Sequence, residues 1–320
     1  MIKLLCNSFL LFSITFTGAS IAQVYPSKPV RVVVPFAPGS ASDTVARSVA
    51  EKLTASMGQP FIVENRAGAG STIGNDFVSK STPDGYTLLI STAALPIGAS
   101  AYSNLKYDTS AFVSVTVFTN SALALAVNPT FPAKNIGDFI EYVKANPDKV
   151  NFGSLGMGTS HHVTAEKLKL DAGINMVHVP YKGSAPAIVD LVSGQTHILI
   201  DITGILVPQV QSGTLKAIAI TSPTRDKDLP NVPTVRESGF AELETSGWQG
   251  LVGPAGMPKE VVQKIQAALK KALANPDVRE RLEKAGTPIT ERSSAEFANF
   301  IKSENDRWAS VIKASGASMD

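Results

Sequence analysis

Short apolar runs recur along the chain: VRVVV (30–34), PFIVE (60–64), YTLLIS (86–91), LALAV (123–127), VNFGS (150–154), MVHVP (176–180), HILID (197–201), LKAIAI (215–220) and WQGLVG (248–253). Runs of this length, rich in β-branched residues, predict mostly buried strands. The stretches between them carry a different period. From 43 to 57, Val45, Val49, Leu53 and Met57 recur every fourth residue and Gly58 follows as a stop, which predicts a helix with one apolar stripe. Asn135 ahead of Asp138 predicts another helix start, Pro258 and Pro276 each open a first turn, and Ser293 with Glu296 forms a capping box before a long last helix. Strands alternating with helices define an α/β protein.

Two segments repeat one design. VRVVV-PFAPGSASD near the start and VNFGS-LGMGTSHH near the middle each join an apolar strand, through a loop of small and hydroxyl residues, to a helix. Each heads a long strand–helix series, so two similar lobes are expected, each a central sheet flanked by helices, with a ligand cleft between them. The pattern places the crossings near 122 and 222. Residues 23–122 and 222–320 then form lobe 1, and residues 123–221 form lobe 2.

The N-terminus changes the compartment. Residues 1–22 carry one positive residue, Lys3, then an apolar stretch interrupted by Asn7, Ser8, Ser13, Thr15 and Thr17, and end in Ser20-Ile21-Ala22. This predicts a cleaved secretory signal and a periplasmic protein; the stretch is too short and polar for a permanent span. The one cysteine, Cys6, falls inside it, so the mature chain has no thiol for a disulfide or a thiolate metal site. A chain of 320 residues is long enough to be held by its core alone. Its 29 Lys and Arg against 27 Asp and Glu are interleaved, most densely in KKALANPDVRERLEKAG. That is the pattern of solvated helix faces and gives no reason to expect a nucleic-acid or membrane-surface partner.

The candidate chemistry lies in the loops. In PFAPGSASD, Pro38 stiffens the turn, Gly39 permits close backbone approach, and Ser40, Ser42 and Asp43 are able to cap the helix that follows. Free N–H groups in a helix's first turn hold a carboxylate or phosphate without help from Arg or Lys. An ordinary capped turn has the same composition, and this loop alone does not separate the two. The second loop adds weight to an anion site: Gly156 and Gly158 leave the backbone bare, and Ser154, Thr159 and Ser160 offer hydroxyls at another helix start. Phe36 offers an apolar wall.

Three further positions join these loops. Lys182, beside Gly183, is the one formal cation among them, and a lone loop lysine ordinarily points to water, so a supporting place is expected for it. Asp201 ends HILID, where a carboxylate meets a crevice, although capping the turn at Thr203 and Gly204 is the default role for such a residue. Ser91 and Thr92 end another strand and are small enough to admit a ligand; a plain loop is equally consistent with them.

Other chemistries fare worse. A dinucleotide fingerprint requires Gly where His161 stands, and the next strand ends without an acid for a ribose. His161 and His162 are adjacent and project about 100° apart on a helix, a poor arrangement for one metal ion. No G-x-S-x-G is present. A hydrolase using Ser160 and His162 on a small carboxylate ester is the rival reading.

YPSKPVRVVVPFAPGSASD, ENRAGAGSTIG, PDGYTLL, the Gly-Thr-Ser-His segment at 158–162, HVPYKGSAP, VPTVRESG and SGWQGLVGPAGMP occur in the order typical of the Bug/TctC family. The chain resembles these extracytoplasmic receptors of tripartite tricarboxylate transporters over essentially its whole mature length. The resemblance implies a two-lobed periplasmic binding protein of the type II kind, closing by a hinge over a small carboxylate, with a dicarboxylate or aromatic acid expected. It implies no catalysis, cofactor or metal, a monomer, and as partners the transporter's integral-membrane components or a sensor. The expected ligand contacts are Phe36, Pro38, Gly39, Ser40, Ser91, Thr92, Ser154, Gly158, Thr159, Ser160, His161 and Asp201, with Ser42, Asp43, His162, Lys182 and Gly183 capping or supporting. Ser40 and His161 depart from the family's usual residues, a second Gly and a small polar residue.

Overall fold

The computed structural model describes residues 25–316; the expected signal peptide lies outside the described residues. The first part of the chain forms β1 (Val30–Val34), α1 (Ala41–Met57), β2 (Phe61–Asn65), α2 (Thr72–Ser79), β3 (Thr87–Thr92), α3 (Ala94–Ala101) and a long strand β4 (Val113–Val127). There follow α4 (Ile136–Ala145), β5 (Asn151–Ser154), α5 (Ser160–Ala172), β6 (Val177–Pro180), α6 (Ser184–Ser193), β7 (Ile198–Ile202), α7 (Thr203–Gln211) and β8 (Lys216–Ile220). The chain ends in β9 (Ser246–Gly253), α8 (Lys259–Leu273), α9 (Pro276–Lys284), β10 (Ile289–Arg292) and α10 (Ser294–Ser315).

The strands run in the order β2-β1-β3-β9-β4-β7-β5-β6, with β10 and β8 also pairing β4. Strands β1, β2 and β3 are mutually parallel, as are β5, β6 and β7, whereas β4 and β9 run against their neighbours. Strand β4 changes partners along its length. Val113 to Ala122 pair with β9, and Leu123 to Val127 pair with β7 and β8. One strand thus runs through both halves of the sheet, and a second connection returns at the start of β9. The sequence reading found only LALAV of this strand because Asn120 and Ser121 interrupt it. Both are tolerated within the ladder, where Asn120 sits opposite Trp248 and Ser121 opposite Gly247.

Helices cover both faces and bury their stripes. On α1, Val45, Val49 and Leu53 are each at most 4% exposed and pack with β1, β3 and α8 residues; burial of each such side chain stabilises by about 1.5–3 kcal/mol. The helix begins before Asp43 because Ser40 is its N-cap, accepting the Asp43 N–H at 3.3 Å. Gly58, left-handed at φ 71°, ends it. The predicted capping box of Ser293 and Glu296 opens α10, and Asn135 and Asn275 cap α4 and α9.

The return segment 222–245, assigned by the sequence pattern to the first lobe, packs with the second half. Leu229 and Val232 join Leu199 and Leu206, while Val235 and Leu243 join Ile200 and Ile218. The last helix packs the other way. Glu304 of α10, 6% exposed, accepts hydrogen bonds from Trp248 Nε1 at 3.2 Å and Trp308 Nε1 at 3.1 Å. A buried carboxylate with two indole donors satisfies groups that would otherwise cost heavily. Among the described residues, no helix is long and apolar enough to cross a membrane.

Candidate ligand site between two helix N-termini

A cavity of about 80 Å³, partly open to solvent, lies where the two halves of the sheet meet, a volume on the scale of several waters. Phe36, Ser40, Ala41 and Ser42 line it from the β1–α1 connection, and Thr92, Ala93 and Ala94 line it from β3 into α3. From the other half come Leu155, Thr159, Ser160, His161, Lys182, Gly183 and Ile202, and β9 supplies Gly247, Trp248 and Gln249.

The two repeated loops meet here, each presenting the start of a helix. In α1 the Asp43 N–H is taken by Ser40 Oγ and the Thr44 N–H by the Ser40 carbonyl, which leaves the Ala41 and Ser42 amides without an internal partner. In α5 the N-cap Thr159 accepts the His162 N–H through Oγ1 at 3.4 Å and the Val163 N–H through its carbonyl. The Ser160 and His161 amides are the ones left free. Four residues whose N–H groups have no partner among the described residues, at two helix starts, thus line one cavity, and such first-turn amides carry partial positive charge. Gly183 caps α6 without a side-chain bond, and α3 begins at the same cavity with Ala94 N–H given to Thr92 Oγ1 at 3.3 Å.

Supporting contacts hold the loops in place. The Asp43 carboxylate accepts the Gly39 N–H at 2.9 Å, Arg47 Nε at 3.0 Å and Asn65 Nδ2 at 2.9 Å. Burial pulls the acid's pKa upward, but the hydrogen bonds from Arg47, Gly39 and Asn65 outweigh it and hold the carboxyl below its usual range. In the second loop Thr159 Oγ1 donates to the Gly156 carbonyl at 2.7 Å. His162 Nδ1 accepts the Gly158 N–H at 3.4 Å, and its ring stacks on His178 with centroids 4.2 Å apart. His178 stacks in turn on Phe152 at 4.7 Å and meets Ser154 Oγ at 2.7 Å. Burial, His178 and Lys169 lower the His162 pKa to about 3; burial and Lys169 lower that of His178 to about 4.

The expected residues divide accordingly. Phe36, Ser40, Ser42, Thr92, Thr159, Ser160, His161, Lys182 and Gly183 reach the cavity. Pro38 and Gly39 do not: both are exposed, and the Gly39 amide is already given to Asp43. Ser154 is fully buried and serves its own loop through His178 and Gly156, and Gly158 supports His162. Ser91, 1% exposed, lies beneath the surface of the site. Asp201, fully buried, reaches the cavity only through His161, whose Nε2 is 3.4 Å from Asp201 Oδ1. Lys182, expected in a supporting place, lines the cavity itself and makes no ion pair or hydrogen bond among the described residues.

Leu155, Ile202, Gly247, Trp248 and Gln249 escaped the sequence reading. Gln249 had a signal: an amide inside the apolar run WQGLVG, now 4% exposed with Oε1 unpaired. The Ser160–His162 pair of the hydrolase reading is not formed, since the His162 ring is occupied by Gly158 and His178. Among the described residues no group of three metal-ligating side chains converges.

A two-lobed α/β fold with a cavity at the join of its sheets is that of periplasmic binding proteins of the type II kind. Residues 45–317 match the family described as "Tripartite tricarboxylate transporter family receptor", TctC, and the chain belongs to this family, whose members are solute-binding receptors and not enzymes. It is similar to the periplasmic binding protein BugD, at 36% identity and TM-score 0.83 over 92% of this chain and 99% of that one. MatC from Rhodopseudomonas palustris, solved with bound malate, is 32% identical with TM-score 0.83, covering 90% of this chain and 100% of its own. A further R. palustris protein, solved with adipate, is 30% identical with TM-score 0.83 over 91% and 98%.

Proposed function

We propose that this chain captures a small carboxylate in the periplasm and hands it to the integral-membrane components of a tripartite tricarboxylate-type transporter. The observation that carries this reading is that Ala41, Ser42, Ser160 and His161, whose amides have no hydrogen-bond partner among the described residues, all line one partly open pocket. Two helix starts compensate an anion without a buried arginine, and a ligand touching both stabilises the closed arrangement of the lobes over the open one. Residues 25–122 with 246–316 are read as one lobe and residues 123–245 as the other. A return crossing near 245 instead of 222 is supported by the packing of Leu229 through Leu243 with the second half.

The malate and adipate bound by relatives support an aliphatic dicarboxylate, and the Phe36 and Leu155 walls would also accept the ring of an aromatic acid. A thermal-shift screen of mono-, di- and tricarboxylates and aromatic acids tests the reading. A true ligand at one hundred times its Kd adds about 2.7 kcal/mol of stability and is recovered unchanged. Stabilisation by none of these acids, or conversion of one of them, would overturn it.

A further inference from the structure

His161 and Asp201 form a buried polar pair that the amide clamp does not use. Asp201 is fully buried; Oδ1 accepts the Ile202 N–H at 2.7 Å and Oδ2 has no partner. His161 is 8% exposed, borders the cavity, and neither of its ring nitrogens makes a hydrogen bond. A buried imidazole and a buried carboxylate left unpaired are costly, and the cost is removed when a ligand completes the set. An ionised carboxylate only accepts, so the ring nitrogen turned to Asp201, Nε2 at 3.4 Å, is the one that carries a hydrogen toward it. Nδ1 is then the ring atom left for a ligand. With the Asp201 carboxylate behind it, a ring carrying hydrogen on both nitrogens would offer Nδ1, an atom covered in this structure, as a second donor to a ligand group that reaches it.

We propose that His161, positioned by Asp201, is the residue through which this protein selects a ligand with a second carboxylate over one with a single carboxylate. The assignment rests on the carboxylate reading above: the helix starts hold one acid group, and His161 meets the other. A monocarboxylate of equal length places an alkyl end against the ring and leaves its donor unpaired. Lys182, also at the cavity, is the competing cation.

Titration calorimetry with succinate against butyrate, and adipate against hexanoate, tests the assignment on purified wild-type protein and on His161→Leu, His161→Gln, Asp201→Asn and Lys182→Gln. The wild type is expected to favour the dicarboxylate of a matched pair by about tenfold or more, the scale of one lost charge-assisted hydrogen bond. His161→Leu lowers that ratio to within about threefold by weakening the dicarboxylate more than the monocarboxylate, and His161→Gln, which keeps an N–H donor, restores part of it. Asp201→Asn lowers the ratio, whereas a merely structural role would weaken both acids alike; Lys182→Gln lowers it less than His161→Leu does. The ratio is internal to each variant, so a partly unfolded preparation does not alter it. Retention of the wild-type ratio in His161→Leu, or its loss in Lys182→Gln alone, overturns the assignment while the carboxylate reading stands. A wild-type protein that binds none of the four acids overturns both.

Discussion

Gly204, near the start of α7, and Gly286, in the turn before β10, meet backbone to backbone: a methyl group added at Gly204 would lie 2.0 Å from Gly286 Cα. The two belong to opposite halves of the molecule. Thr203 Oγ1 anchors the same helix start to the Ala122 carbonyl at 2.7 Å, where β4 changes partners. The halves therefore bear on one another at a point where no side chain intervenes. Gly204→Ala is expected to lower unfolding free energy by about 1–3 kcal/mol through overpacking. Urea denaturation measures this, and a wild-type midpoint would show that the contact relaxes freely.

The helix starts predict a contrast between neighbours. Ser40→Ala and Thr159→Ala each remove an N-cap and should cost about 0.5–2 kcal/mol of stability, with weaker carboxylate binding because the free amides lose their alignment. Gly39→Ala meets no atom within 4 Å but places a Cβ at φ 80°, so it is expected to cost about 1 kcal/mol by strain and leave affinity within about threefold. Paired denaturation and calorimetry separate the cases; equal losses of affinity at 39 and 40 would contradict the geometry.

Acid sensitivity follows from the stacked histidines. Their pKa values are lowered in the folded protein, to about 3 for His162 and about 4 for His178, while the unfolded chain binds protons near the ordinary histidine value of about 6.5. Between these limits the unfolded state holds more protons, so stability is complete above about pH 6.5 and falls as pH drops toward 4. His162 contributes a slope of up to about 1.4 kcal/mol per pH unit, and His178 less because water reaches it. Denaturation at pH 7, 6 and 5 should show a shallower slope in His162→Gln; an identical slope would remove His162 from the account.

Glu304→Ala leaves two indole N–H groups buried without an acceptor and is expected to cost about 2–5 kcal/mol, against less for Glu304→Gln, which keeps a carbonyl. Thermal unfolding of both variants checks the order. A loss at Ala no larger than at Gln would mean that water replaces the carboxylate.

The fold was legible in the sequence where local pattern and tertiary burial agree. The Val45, Val49 and Leu53 stripe, the Ser293–Glu296 box and the strands flanking both loops carry signals that neighbours in sequence supply. The first ten residues of β4 and the short β10 were not read, because their ladder depends on strands more than a hundred residues away. Helix α3 hid behind Ala94-Leu95-Pro96, an all-apolar start with no polar cap, tolerated because the helix is buried. At the site, loop residues that face the cavity carried the same composition as those that brace it. Which hydroxyl does which depends on partners such as His178 for Ser154 and Asp43 for Gly39, and those are fixed only by the folded chain. Gln249 and Lys182 belong to the cavity by the same long-range placement.

The contact of Trp248 and Trp308 with Glu304 has an optical consequence. These are the two tryptophans of the whole chain, and Trp248 also borders the cavity. All indole emission therefore arises from one buried spot that borders the proposed ligand cavity through Trp248, and capture of a carboxylate there is expected to change the intrinsic fluorescence.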